Sequence, residues 1–177
     1  MVKDKVAEGI LTGDKVIVRE ESDSNRIFNK GWYGKIIDAK LELSLIEAFF
    51  LTEKGILEIK SQKNRQIGFK RFMKEATKVD SRFYTRYNVY KDIRKRGYIT
   101  KTALKYGADF RVYPRGGSPG DEHAKWVLFA VHEGESFDWR KFAAMMRVAH
   151  SVRKKLLIGI VDDEGDVTYY EAKWTRP

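Results

Sequence analysis

A chain of 177 residues, 42% of them hydrophobic, is long enough for one domain or two small ones, each with its own core. It contains no cysteine, which excludes disulfides, thiolate nucleophiles and cysteine-based zinc sites, and its three histidines are too scattered to form a metal cage. The formal net charge of +10 points instead to a polyanionic partner, nucleic acid above all. No apolar run approaches the roughly 20 residues of a membrane span, and MVKDKVAEG lacks the apolar core of a signal segment. A cytoplasmic protein without membrane contact is expected.

In chain order, residues 9–19, GILTGDKVIVR, read as a turn followed by a β-branched strand, and SDSN at 22–25 reads as a loop. WYGKIID at 32–38 is a short strand or a turn. Residues 41–52 read as a helix with Leu45, Ile46, Phe49 and Phe50 on one face and Glu42 and Glu47 off it, stopped by Gly55. A second helix gathers Phe69, Phe72, Met73 and Ala76. These stripes are read as core packing. Asp80 and Ser81 open a third helix, with Phe83, Tyr87, Tyr90 and Ile93 inward and the basic RKRG at 94–97 at its end.

The spacing places a domain boundary near residue 80, giving an N-terminal α+β domain over 1–80 and a C-terminal domain over 81–177. The fold class is α+β, the second part a mixed sheet with flanking helices: strands within 98–113, a strand over 124–131, a helix over about 138–152 and a final hairpin, KLLIGIV and VTYYEAKW, about the turn DDEGD. The charge is uneven. Residues 1–80 carry 16 Lys and Arg against 13 Asp and Glu, residues 81–177 carry 19 against 12.

The stretch ADFRVYPRGGSPGDEH stands apart. Its period of two marks a strand that Pro114 must end, and Gly116, Gly117, Pro119 and Gly120 make a turn-rich loop up to His123. Tyr113 and His123 thus face each other across a loop mouth. Gly-rich GGSPG lies between strands and not before a helix, so it is no phosphate-cradling P-loop. The carboxylates Asp162, Asp163, Glu164 and Asp166 lack calcium-loop spacing; they read as a solvated turn or as a docking element for a basic patch on another subunit.

With Lys154, Tyr113 and His123 form a candidate catalytic trio. Singly, a strand-end Tyr packs, a loop His is exposed and a Lys in RKK is solvated. Jointly they meet a chemical need: metal-free RNA cleavage requires a base for the 2′-hydroxyl, an acid for the departing 5′-oxygen and a cation beside the phosphate. An unperturbed phenol titrates near pH 10, so Tyr113 needs a cation such as Lys154 or Arg115 beside it to act as base near neutrality.

FRVYPRGGSPGDEHAKWVL, RVAHSVRKKLLIGIVDDEGDVTYYEAKW, RGYITKTALKYGADF and the N-terminal WYGKIIDAKLELSLIEAFFLTEKG together resemble the archaeal tRNA-splicing endonucleases, or tRNA-intron lyases, over nearly the whole chain. The resemblance implies a metal-independent, cofactor-free endonuclease that excises introns from precursor tRNA at a bulge-helix-bulge, leaving a 2′,3′-cyclic phosphate and a 5′-hydroxyl. It assigns Tyr113 as general base, His123 as general acid and Lys154 as stabiliser of transition-state charge. It also implies a cation-π clamp of Arg147 and Trp174 on a bulge base, with Arg115 as a further RNA contact; without such a clamp, Trp174 would simply pack on the hairpin. Assembly would be homotetrameric, with the 162–166 turn of one subunit in a basic pocket of another. Two other readings compete. A catalytically silent structural subunit has no need of the full trio, and a general basic RNA-binding protein leaves the Tyr113 and His123 pairing unexplained, with no aromatic RRM sheet motif or GXXG loop to support it.

Overall fold

The computed structural model describes residues 5–104, 107–120, 122–136 and 138–176. These fall into two compact units, divided between Tyr84 and Thr85. The fold is α+β, as the sequence implies.

The first unit is built on a five-stranded sheet. Its elements run β1 (Ala7–Thr12), β2 (Lys15–Val18), α1 (Glu21–Gly31), β3 (Lys35–Ile37), β4 (Lys40–Ser44), α2 (Leu45–Glu53), β5 (Leu57–Lys60) and α3 (Phe69–Val79). The strand order is β3-β4-β2-β1-β5, antiparallel except where β1 pairs in parallel with β5. The stretch expected as a turn and one strand is in fact a hairpin of two, because Gly13 at φ 61 lets the chain reverse between Thr12 and Lys15. The expected loop at SDSN is also overturned: all four residues lie in α1. Ser24 is buried there, donating from Oγ to the Val18 carbonyl (3.2 Å) and accepting from the Leu41 N–H (3.1 Å), so a residue with turn chemistry ties a helix to two strands.

A third correction concerns residues 41–52. Leu41 and Leu43, both fully buried, alternate as β4, and the helix begins only at Leu45. Ser44 and Glu47 decide the break: they form a capping box, the Ser44 hydroxyl accepting from the Glu47 N–H and the Glu47 carboxylate from the Ser44 N–H. Glu47, expected off the apolar face, is itself buried and also accepts from the Gly34 N–H at 2.9 Å. Phe49 carries the packing of α2 onto α3, with ring centroids 4.2 Å from Phe69 and 5.5 Å from Phe72.

The second unit contains α4 (Phe83–Lys95, whose first two residues precede the divide), β6 (Thr100–Thr102), β7 (Phe110–Val112), β8 (Trp126–His132), α5 (Trp139–Ser151), β9 (Lys155–Val161) and β10 (Val167–Ala172). Its sheet runs β10-β9-β8-β7-β6. Neighbours are antiparallel except β8 and β9, which are parallel because α5 carries the chain back between them. On one face Tyr90 of α4 packs on Phe110, ring centroids 5.6 Å apart. On the other, Met145 and Ala149 of α5 join Val127, Val131, Leu156 and Ile158 in a buried cluster. Asp109 anchors the start of β7, paired with Arg86 at 2.9 Å and accepting the Ala130 N–H at 2.8 Å.

Candidate active site

Three strand ends meet at one edge of the second sheet. β7 runs antiparallel to β8 with Val112 opposite Trp126, and β8 runs parallel to β9 with Trp126 opposite Lys155. The exit of β7 therefore lies beside the entrances of β8 and β9. Backbone bonds continue the ladder one step further, the Lys125 N–H donating to the Val112 carbonyl (2.9 Å) and the Lys155 N–H to the Lys125 carbonyl (3.1 Å). Tyr113 follows Val112, Lys154 precedes Lys155, and His123 stands three residues before Trp126. Topology thus gathers three residues that the sequence keeps far apart.

Each is held by a different local device. The Tyr113 N–H donates to the Ile99 carbonyl at 2.9 Å, and its side chain is buried, 4% exposed, on the same strand face as Arg111 two residues earlier. His123 is exposed at the foot of the 114–122 loop. That loop is folded on itself by the Gly117 N–H to the Pro114 carbonyl (3.2 Å) and the Glu122 N–H to the Ser118 carbonyl (2.9 Å). Gly117 lies against the Glu122 carboxylate, which would have to swing aside for a Cβ at that position. Lys154 follows the end of α5 through a Schellman motif, in which its N–H donates to the Ala149 carbonyl (2.8 Å) and the Arg153 N–H to the His150 carbonyl (3.0 Å). Arg153 occupies the left-handed position of that motif at φ 53, where glycine is the usual occupant and a side chain costs about 1 kcal/mol.

Tyr113, His123 and Lys154 line one pocket of about 310 Å³, together with Arg111, Glu122 and Val152. Arg111 and Glu122 were not among the residues expected there. The signal for Arg111 is present in the sequence, since strand parity puts it beside Tyr113; Glu122 gives none, because its place depends on how the loop folds. Arg115 is not in this lining: its guanidinium lies 4.8 Å above the Tyr98 ring.

Arg147 and Trp174 are exposed, on α5 and after β10. The Trp174 ring lies 5.1 Å from that of His150, which sits one turn along α5 from Arg147, so one helix face presents a guanidinium, an imidazole and an indole together. Nothing in the sequence pattern marks His150 for this place.

The acidic turn is at the opposite end of the sheet. β8 spans Trp126 to His132, about 20 Å at strand rise. His132 Nε2 is 3.3 Å from the Asp163 carboxylate, and the Asp163 N–H donates to Glu133 at 3.3 Å. Ligand-type atoms of Asp162, Glu164 and Asp166 lie within 4.8 Å of one another, but the Asp162 Oδ1 already accepts the Glu164 and Asp166 N–H groups, as a tight hairpin turn requires.

Residues 83–169 match the tRNA intron endonuclease catalytic C-terminal domain, and residues 7–73 match the tRNA intron endonuclease N-terminal domain. The chain belongs to the tRNA intron endonuclease family. Similar proteins include the tRNA-splicing endonucleases of Thermococcus kodakarensis, 40% identical over 94% of this chain and 96% of that protein, and of Methanothermobacter thermautotrophicus, 40% identical over 96% and 98%. That of Nanoarchaeum equitans is 45% identical over 80% of this chain and 94% of its own length. As a member of the tRNA intron endonuclease family carrying its catalytic domain, the chain is an enzyme. Residues 113, 123 and 154 fall within the catalytic-domain match, whereas Trp174 lies beyond it. Among the described residues of this family member, no helix is long and apolar enough to cross a membrane.

Proposed function

We propose that this chain is a metal-independent, cofactor-free endoribonuclease of the cytoplasm that cuts introns from precursor tRNA at bulge-helix-bulge motifs. The observation that carries the reading is the shared pocket of Tyr113, His123 and Lys154. In this reaction the ribose 2′-oxygen forms a bond to the adjacent phosphorus while the bond from phosphorus to the 5′-oxygen breaks. Tyr113 takes the 2′-hydroxyl proton, His123 gives one to the departing 5′-oxygen, and the Lys154 ammonium offsets charge gathering on the non-bridging oxygens. The products are a 2′,3′-cyclic phosphate and a 5′-hydroxyl. Arg147 and Trp174 supply cationic and aromatic planes for an unstacked bulge base, each stacked base contributing roughly 1 to 3 kcal/mol.

The test mixes the purified chain with bulge-helix-bulge RNA in excess EDTA and identifies the new 3′ ends. Cyclic phosphates at the bulges are expected; cleavage that appears only on adding Mg²⁺ overturns the metal-free mechanism. Near-normal single-turnover cleavage by Tyr113→Phe would remove Tyr113 as the base.

The charge layout supports self-association, read here as a homotetramer. The acidic turn of residues 162–166 sits about 20 Å of strand away from its own cationic sheet edge, so its complement is the basic surface of another copy. Reversing Asp163 and Asp166 to lysine is expected to give dimers on a sizing column, and a persistent tetramer would refute this assembly.

A further inference from the structure

A second depression opens from the active-site pocket. This groove, about 800 Å³, shares His123, Ala124, Val152 and Lys154 with the pocket, but Tyr113 lines only the pocket, while Lys125, Arg153 and Lys155 line only the groove. Among the described residues, no carboxylate lines it. We propose that the groove holds the first RNA phosphate on the 3′ side of the cleaved bond, gripped by Arg153 and Lys125.

Charge, backbone and polarity argue for this. Among the described residues, no ion pair engages Arg153 or Lys125, whereas Lys155 is bound to Glu171 at 2.6 Å. Lys125 lies with its Nζ 4.4 Å above the Trp126 ring, close enough to Glu171 for its charge to favour that carboxylate's ionised form but with no ion pair to it. Arg153 keeps a long cationic side chain at a left-handed helix end where glycine would relax the backbone. A fork of guanidinium donors suits a phosphodiester, and none of the local packing calls for it.

The direction along the RNA rests on the proposed function. The groove adjoins His123 and not Tyr113, and His123 protonates the leaving 5′-oxygen. The nucleotide carrying that oxygen, and the phosphate on its 3′ side, therefore extend into the groove. The nucleotide carrying the attacking 2′-hydroxyl lies on the Tyr113 side.

The experiment uses the full chain and three bulge-helix-bulge RNAs: unmodified, with a neutral methylphosphonate at the first phosphate 3′ of the cleaved bond, and with one at the first phosphate 5′ of it. The 3′ methylphosphonate is expected to raise the half-saturating concentration of the wild-type chain about tenfold in single-turnover cleavage, the worth of one charged hydrogen bond. Arg153→Gly should do the same on unmodified RNA and lower the salt slope of binding by about one. It should also leave the melting temperature unchanged or higher, and the 3′ methylphosphonate should then add less than it does to the wild-type chain, only the Lys125 contact being left to lose. Arg153→Lys should restore most of the binding. An effect confined to the 5′ methylphosphonate, or unchanged binding by Arg153→Gly, overturns the proposal. So does a lowered melting temperature in Arg153→Gly with no rescue by lysine, which makes Arg153 structural. If the wild-type chain leaves unmodified RNA uncut, it is the proposed function that fails.

Discussion

The two units share an architecture and differ in what they do with charge. Each is a five-stranded sheet with a single parallel pair, β1 with β5 in the first and β8 with β9 in the second. In the first unit four cations are matched by carboxylates, in the pairs Lys15–Glu42, Arg26–Asp23, Lys60–Glu8 and Lys78–Glu75. A depression there, about 590 Å³, mixes Lys5, Arg19 and Lys60 with Glu8, Glu20 and Asp23. The second unit leaves Lys125, Arg147, Arg153 and Lys154 without ion pairs among the described residues and places three of them at one sheet edge. A neutralised surface holds a fold, whereas a surface of unmatched cations stores attraction for a polyanion.

The largest effects should separate the two surfaces. His123→Ala should lower single-turnover cleavage by about 10²- to 10⁴-fold, the usual worth of a general acid. Lys60→Gln, in the charge-matched depression of the first unit, should stay within about twofold, since it breaks only a surface pair. A comparable loss from Lys60→Gln would show that the first unit also grips RNA.

Stability should divide the units in a second way. Arg86–Asp109 is buried on both sides, and Asp109 also accepts the Ala130 N–H. Asp109→Ala should cost about 3 kcal/mol, because it strands a buried guanidinium. Glu42→Ala, which frees only a solvated lysine, should cost below about 1 kcal/mol. Denaturant titration of the full chain, with amide exchange at residues 110–112 to localise the change, checks both; equal costs would erase the distinction.

Much of this was legible in the sequence, and the limits follow from the physics. Local punctuation survived: Pro114 ends its strand, the hairpin turns at DDEGD, and the helix expected over about 138–152 is there, with Met145 and Ala149 in a core. What failed was local chemistry overridden by tertiary partners. Ser24 looks like a loop residue but finds two backbone groups of neighbouring strands, and Leu41 and Leu43 read as the start of a helix until the Ser44 and Glu47 box separates strand from helix. At the site, residue types suggested the chemistry, but only register could bring positions 113, 123 and 154 together. Arg111 was readable from parity with Tyr113. The Schellman turn that makes Arg153 a neighbour of the pocket carries no glycine to announce it.

The smallest expected effect tests the one cation of the groove that is already matched. The Glu171 carboxylate accepts from Lys155 at 2.6 Å and from the Trp126 indole at 2.7 Å, and these two bonds, the lysine's first, hold its titration below that of a free carboxyl. Because the folded value is the lower one, the stabilisation is fully present above the unfolded value near 4.3 and fades as pH falls through the folded value. The pair is solvated, so its worth is below about 1 kcal/mol. Glu171→Gln should therefore flatten the acid limb of the melting profile slightly and leave neutral stability almost unchanged. It should also release Lys155 into the groove, steepening the salt dependence of RNA binding by up to about one unit of slope. A shallower slope would mean that Glu171 positions Lys155 for phosphate instead of withholding it, and the line between matched and unmatched cations would then have to be redrawn within the groove itself.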